Sequence, residues 1–477
     1  MFNIVIAILI CILVVLLIAI VRSICLKPTL AKEMTFDVDA STIDLEYGKR
    51  LKKMIQCNTV SNRFNNDISK FIEFHKVLEE LFPNVHETLE KEEFYGNLLY
   101  KWKGKEDGEP ILLMSHQDVV EANGKWRYDP FSGKIDDNRV WGRGTVDTKG
   151  NLFCIFQSIE ELIQEGYVPK CDVYVASSCT EEYSGEGAPM TVEKLKEKGV
   201  KLKFMVDEGG LILKDPIVGV KGMYALVGVL EKGYGDIKLV AKGKGGHSST
   251  PGKNSPLARV SRLVSEIDRK DPFKPKLNST VVEMFRRFAP NAKFPIKILL
   301  ANVNIFKLII EKILPKMNNQ AGAMIKTTIA FTMAHGSEGM NVLPNEAYIG
   351  ANLRFIHHEG TQKSLDIVSK LAKKYDVSVE KIYTYDPCPV VDYSSNAFKL
   401  VEDVLQEIYE GIGVSPYVMT GGTDSKWYSQ ICDNCLRFAP LYIDKQQLSS
   451  IHGIDENVYI KSITKGVEFF KLLIKKI

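Results

Sequence analysis

The chain has 477 residues and a formal charge of +3, with 45% apolar and 25% charged residues. That length gives two or three domains room for a large core, and the near-balanced charge offers no reason to invoke nucleic acid. The nine cysteines are odd in number and scattered, which excludes a disulfide scaffold.

Residues 4–21, IVIAILICILVVLLIAIV, form an unbroken apolar run. At about 1.5 Å per residue it is long enough to cross the hydrocarbon core of a bilayer. No basic residue precedes it, and Ser23-Ile24-Cys25 is a poor cleavage site. An uncleaved anchor is therefore favoured over a cleaved signal. Arg22, Lys27 and Lys32 follow the run, so the positive-inside rule leans toward a cytoplasmic body. Residues 1–26 are read as a membrane anchor in contact with lipid, and 27–41 as a tether.

The folded body is expected from residue 42. Apolar spacing predicts helices over 43–57, 68–81 and 151–165, the last ended by Gly166. Short apolar runs predict strands over 97–102, 111–115, 173–177 and 204–206. Strands alternating with helices imply an α/β fold, a mostly parallel sheet covered on both faces. This part is read as a first catalytic segment, 42–228. Near Gly228 the pattern changes. GYGDIKLVAKGKGGHSS and EAYIGANLRFIHH alternate apolar and polar residues, as strands of a half-exposed antiparallel sheet do. With helices over 255–267 and 362–374 they imply an inserted, smaller α+β domain, 229–375. Within it 290–320 is apolar and broken by Pro295 and Pro315, which suits a lid element or an interface. Helical patterns over 395–411 and 458–477 return the chain to the catalytic domain, 376–477.

The polar residues that end the apolar runs carry the chemistry. ILLMSHQD delivers His116 and Asp118, VWGRGTVDTKG delivers Asp147, and VYVASSCTEE delivers Glu181 and Glu182. KFMVDEGG delivers Asp207, and IHGIDENV delivers His452. Ligands in open α/β sheets bind beyond the carboxyl ends of the strands, so these residues can converge on one site. Three carboxylates and a hydroxide cancel the charge of two zinc ions, and two imidazoles complete the set. Asp147, on a glycine-bounded turn, suits a bridge between the metals. Asp118 shares a face with His116 and can accept its other ring N–H. Of Glu181 and Glu182, one can bind metal while the other takes a proton from water. No H-E-x-x-H, G-x-S-x-G or P-loop occurs. Cys432 and Cys435 form a C-x-x-C, read as a zinc or redox pair or as two half-buried thiols.

The ordered series SHQDVV, DPFSGKI, VWGRGTVDTKG, TEE, VDEGG, GKGGHSS and IHGIDEN resembles the M20 metallopeptidase family. Within that family it is most similar to the carboxypeptidase S and N-acyl-amino-acid hydrolase branch. The resemblance runs from about residue 45 to the C-terminal helix. It implies a zinc-exopeptidase-like sheet with an inserted lid or dimerisation domain, and a homodimer as one arrangement. It also implies two zinc ions, with cobalt or manganese as substitutes. His116 and Asp207 would hold one, Glu182 and His452 the other, and Asp147 would bridge. Glu181 would be the general base, Asp118 the orienting acid, and His247 a stabiliser of the oxyanion. Asn341, Arg354, Gly422 and Thr423 would bind the substrate carboxylate. GGTDSKW departs from the family, because Lys426 stands where relatives often carry Arg. The function implied is hydrolysis of an amide next to a free carboxylate, in a peptide or an N-acyl amino acid. A catalytically dead metal-binding scaffold is the reading from another class, and the presence of Glu181 opposes it.

Overall fold

The runs ILLM, VYVAS and FMVD are buried at every position, because the strands they form are covered on both faces. In the structure, a computed structural model, residues 2–30, 36–64 and 67–477 are described. Residues 31–35 of the expected tether, with Lys32, lie outside these. The strands Val173–Ser177, Ile111–Met114, Phe204–Asp207 and Cys435–Arg437 run parallel at the centre of a ten-stranded sheet. Antiparallel strands Glu90–Phe94 and Asn97–Trp102 extend one side. Met223–Glu231, paired with Gly413–Met419, lies on the other side. The sheet is thus mixed, with a parallel centre.

Period-2 alternation sorts the side chains between two cores. Ile111 and Leu113, with Val173, Val175, Phe204 and Val206, face the helices Lys149–Gln164 and Ile460–Lys476. Leu112 and Met114, with Tyr174, Ala176 and Met205, face the helix Gly187–Glu197, which the sequence pattern did not reveal. Cys432 and Cys435 are fully buried free thiols in this second core, so the half-buried reading falls short.

The smaller sheet is antiparallel, in the order Thr328–His335, Glu346–Phe355, Gly233–Lys242, Ser378–Tyr385. The helices Pro256–Lys270 and Gly360–Lys373 cover one face and close a separate apolar core. The apolar 290–320 stretch does not join that core. Its helices, Ile296–Ala301 and Val303–Met317, pack with Ser279–Phe288 beside Tyr224, Leu226, Leu230 and Val418 of the large sheet. Ala19 of the N-terminal helix Phe2–Cys25 belongs to the same cluster.

Candidate functional site

Three neighbouring strands deliver acids and a histidine at their carboxyl ends. His116 lies two residues beyond Met114, Glu182 lies in the turn after Val173–Ser177, and Asp207 is the last residue of its strand. Asp147 comes from the turn before the helix Lys149–Gln164, and His452 from a loop where its φ is +57°. His116 Nε2 is 3.0 Å from Asp147 Oδ1, and His452 Nε2 is 3.0 Å from Asp147 Oδ2. Glu182 Oε2 lies 3.2 Å from His452 Nε2. Asp147 therefore turns one oxygen to each imidazole, the disposition a bridging carboxylate needs. His116, Asp147 and Glu182 each offer a ligand atom within 4.8 Å of the others.

The protonation of this cluster is perturbed throughout. Hydrogen bonds to Asp147 and Glu182 raise His452 to about 10. Burial opposes a charge on His116, but bonds to Asp118 and Asp147 overcome it and push the ring well above its usual value. Burial also works against Asp147, yet the two histidines hold it below the usual carboxylate range. Burial, then the Asp147 charge, raises Glu182 to about 7. Glu181 and Glu208 are pushed up by burial and by neighbouring carboxylates. Burial lifts Asp424 to about 7 against the pull of Lys426. Carboxylates outnumber cations here, with oxygen and imidazole donors at strand ends, and this donor set fits divalent metal ions.

Other residues hold the donors in place. Asp118 is fully buried. Its carboxylate accepts the backbone N–H groups of Glu181 (3.2 Å) and Glu182 (3.1 Å) and the Ser61 hydroxyl (2.6 Å). The closer partner of His116 Nδ1 is the Asp118 carbonyl at 2.9 Å, with the carboxylate at 3.4 Å. So the expected ring contact is made mainly by backbone, while the Asp118 side chain fixes the Glu181–Glu182 turn. Asp207 accepts the N–H groups of Glu208 (2.8 Å) and Ser425 (2.9 Å), one on each oxygen, which leaves further lone pairs free. Gly210 is required where this strand end passes Leu226, because a Cβ there would lie 2.0 Å from the Leu226 carbonyl oxygen.

Glu456 and Arg143 do the most to set Asp147. Glu456 Oε1 accepts the N–H groups of Val146 (2.9 Å) and Asp147 (3.1 Å). Its Oε2 accepts Gly144 N–H (3.1 Å) and Arg143 Nη1 (2.6 Å). Arg143 Nη2 also donates to the Gly453 carbonyl at 2.7 Å, tying the Asp147 turn to the His452 loop. Sequence patterns do not single out Glu456, Arg143 or Glu208, since a glutamate in a polar loop reads as solvated. The one available signal is that Glu456 and Arg143 stand four residues from His452 and Asp147, respectively.

The substrate-binding candidates fall into two groups. Arg354 stacks on Tyr234, its guanidinium carbon 4.6 Å from the ring centroid. A Cβ on Gly422 would lie 3.7 Å from Arg354 Nη1, so the smaller sheet already meets the 421–424 loop within one chain. Thr423 is buried and donates to Glu231 Oε2 (3.3 Å), which also accepts Arg437 Nε (3.0 Å). Lys426 Nζ lies over the Tyr385 ring at 4.9 Å. His247 and Asn341, by contrast, are exposed. His247 lies in, and Asn341 directly precedes one strand of, a two-stranded ribbon, Gly246–His247 with Val342–Leu343, where Asn341 O accepts Ser248 N–H (3.1 Å). His247 Nδ1 bonds Ser249, and among the described residues no hydrogen bond joins His247 to the Asp147 cluster.

The chain is similar to known proteins over most of its length. The model of peptidase family M20/M25/M40 matches residues 112–476. A probable carboxypeptidase S-like protein of Dictyostelium discoideum is 33% identical over 445 residues, 91% of this chain and 85% of that one. An N-fatty-acyl-amino acid synthase/hydrolase of Homo sapiens is 30% identical over 437 residues, 89% and 86% of the two chains. Among solved structures, an M20 family metallo-carboxypeptidase from Sulfolobus solfataricus superposes with TM-score 0.65 at 16% identity, covering 90% of this chain and 98% of that one. The dipeptidase Dug1p of Saccharomyces cerevisiae gives 0.64 at 16% identity, covering 91% and 96%. With ordered motifs, strand-end acids and a family match over most of its length, this chain belongs to peptidase family M20 and is an enzyme of the M20 type.

Proposed function

We propose that the site holds two divalent ions, zinc by donor type, and hydrolyses an amide bond next to a free carboxylate. The observation that carries this reading is the Asp147 carboxylate, with one oxygen 3.0 Å from each of two imidazoles. His116 and Asp207 would hold one ion, Glu182 and His452 the other, and Asp147 both. Bound there, such ions polarise a carbonyl and lower the pKa of water. Glu181 takes a proton from the attacking water and passes it to the leaving amine. Its burial among carboxylates, which raises its pKa, supports that role. Asp118 keeps the Glu181–Glu182 turn in register.

Arg354, Gly422, Thr423 and Asn341 would take the substrate carboxylate, and His247 the developing oxyanion. The exposed ribbon that carries His247 and Asn341 must then approach the cluster, by closure of the smaller sheet or from a second copy of the chain. The exposed edge strand Thr328–His335, with Met333 turned outward, supports a homodimer. The separate core of the smaller sheet supports an inserted unit within 229–375, flanked by catalytic segments 42–228 and 376–477. The helix Phe2–Cys25, exposed except at Ala19 and Ser23, supports an anchor through residues 4–21.

A C-terminal peptide residue and an N-acyl amino acid present the same amide and carboxylate, and the names of the relatives span both. Elemental analysis should find two ions per chain, and chelation should abolish hydrolysis. Asp147→Ala should lose both ions. Arg354→Ala should raise KM about tenfold or more for substrates with a free carboxylate, and far less for their amides. Full activity without bound metal would sink the reading, and equal effects on acid and amide would remove the carboxylate clamp.

A further inference from the structure

The N-terminal helix does not project free of the body. Asn302, between the helices Ile296–Ala301 and Val303–Met317, donates its side-chain N–H groups to the Ala19 carbonyl (3.1 Å) and to Ser23 Oγ (3.2 Å). Lys297 Nζ donates to the Leu26 carbonyl at 2.6 Å. Asn291 bonds both Thr29 Oγ1 (3.1 Å) and Leu30 N–H (3.3 Å). This clamp fixes a height. The apolar run ends at Val21, two residues or about 3 Å along the helix axis beyond Ala19. If residues 4–21 cross a bilayer, the membrane boundary falls at Asn302, where the helix Val303–Met317 begins.

That helix is apolar on both sides. Val303, Phe306 and Ile310 point inward and are buried. Ile305, Leu308, Ile309, Ile313 and Met317 point outward, Leu308 being 74% and Met317 63% exposed. Their spacing of three and four residues makes one stripe, and the exposed Lys312 and Lys316 lie along it. Val218 (79% exposed) and Phe294 (52% exposed) add exposed apolar side chains on two loops joined to each other by Lys293 N–H to the Gly219 carbonyl at 2.7 Å. Exposed apolar side chains in such a patch mark a contact surface. Lysines along the stripe suit anionic headgroups, because their stems lie on apolar surface while the ammonium reaches outward.

We propose that the outer face of Val303–Met317, with Val218 and Phe294, lies in the headgroup boundary of the membrane that holds the N-terminal helix. This second membrane contact fixes the orientation of the catalytic body to the bilayer. It rests on the reading of residues 4–21 as a span. A second copy of the chain could cover the same stripe; the clamp, which sets Asn302 beside the end of the apolar run, favours lipid.

The test uses the full chain in vesicles of phosphatidylcholine with a minor anionic lipid. Leu308→Cys, in a chain with Cys11→Ala, Cys25→Ser and Cys57→Ser, carries a fluorophore sensitive to its surroundings. Tyr95→Cys in the same background, at the opposite edge of the large sheet, is the reference. Native Cys11, labelled with only Cys25 and Cys57 replaced, reports the span itself. The expected result is strong quenching of the Leu308 label by lipids with a nitroxide near the headgroup and weak quenching by aqueous iodide, with the reverse at Tyr95. Iodide quenching at Leu308 equal to that at Tyr95, with the Cys11 label quenched by lipid, overturns this proposal alone. Shielding at Leu308 that vanishes on diluting protein in lipid also overturns it, in favour of a second copy. A Cys11 label open to iodide removes the span, and this proposal with it.

Discussion

The Asp147 turn and the His247 ribbon are assigned to one reaction but are held in opposite ways. Asp147 is fixed by a buried carboxylate, a buried guanidinium and two imidazoles, gathered from positions more than 300 residues apart. His247 is fixed by its own neighbour, Ser249, on an exposed two-stranded ribbon. Buried, multiply hydrogen-bonded polar networks are rigid, whereas short exposed ribbons open locally at little cost. On the proposed roles, the metal side is thus built before substrate arrives, and the oxyanion side is left free to move.

Substitutions can break this contrast. On the proposed role, Glu181→Gln would remove proton transfer from within the rigid side. Turnover should fall by about 10²–10⁴-fold with metal content and thermal stability unchanged. Metal loss in that variant would instead show that Glu181 is a ligand. His247→Ala should lower kcat by about 10²–10³-fold, again with both ions retained and stability unchanged within about 0.5 kcal/mol. Unaltered turnover would remove the ribbon from the reaction. Glu456→Gln should behave differently from both. Metal affinity should drop by about 10–100-fold, measured by competition with a chromogenic chelator. Stability should fall by about 3–5 kcal/mol, because Arg143 is left buried without its counter-charge. Wild-type affinity with normal melting would deny Glu456 its positioning role.

The smallest effect concerns the outer brace of the rigid side. Asp44 is fully buried at the start of the helix Thr42–Ile55. Burial raises its pKa, but hydrogen bonds from Thr464, Ser41 and Lys461 outweigh this and hold it at about 2. A carboxylate lowered from 3.8 to about 2 adds stability above pH 4 that disappears as pH falls through 2. Asp44→Asn should therefore cost about 2 kcal/mol at neutral pH and almost nothing near pH 2. A penalty independent of pH would show that Asp44 contributes shape rather than charge.

That His116, Glu182 and Asp207 would gather at one place was legible because each follows a short buried run, and a strand that is buried on both faces leaves the polar residues after it at the crevice. Helices over 43–57, 68–81 and 151–165 were legible for the same reason, their apolar spacing surviving as Thr42–Ile55, Ser69–Leu81 and Lys149–Gln164. Glu456 and Arg143 were not, since four backbone and side-chain donors converge on Glu456 only after the chain has folded. Asp118 was legible in part: its face was clear, but not that its side chain serves the Glu181 turn and its carbonyl serves His116. The 290–320 stretch showed that it needed a partner. Composition could not name one, as Ala19 and Tyr224 reach it only through tertiary packing.

The tie between Arg143, Glu456 and Gly453 has a consequence for how the protein is made. During synthesis the N-terminal helix emerges first and the catalytic strands follow. Until the segment around 450–457 leaves the ribosome, the N–H groups of Gly144, Val146 and Asp147 have no acceptor and Arg143 has no counter-charge. A chain stopped just before Ile451 would already carry the apolar N-terminal helix and the strands of the large sheet, yet would lack both His452 and the residue that sets Asp147. On the proposed reading the metal site cannot close until residues 450–457 have been made, so a product truncated before them keeps the apolar N-terminal helix but lacks one metal donor and the carboxylate that sets another.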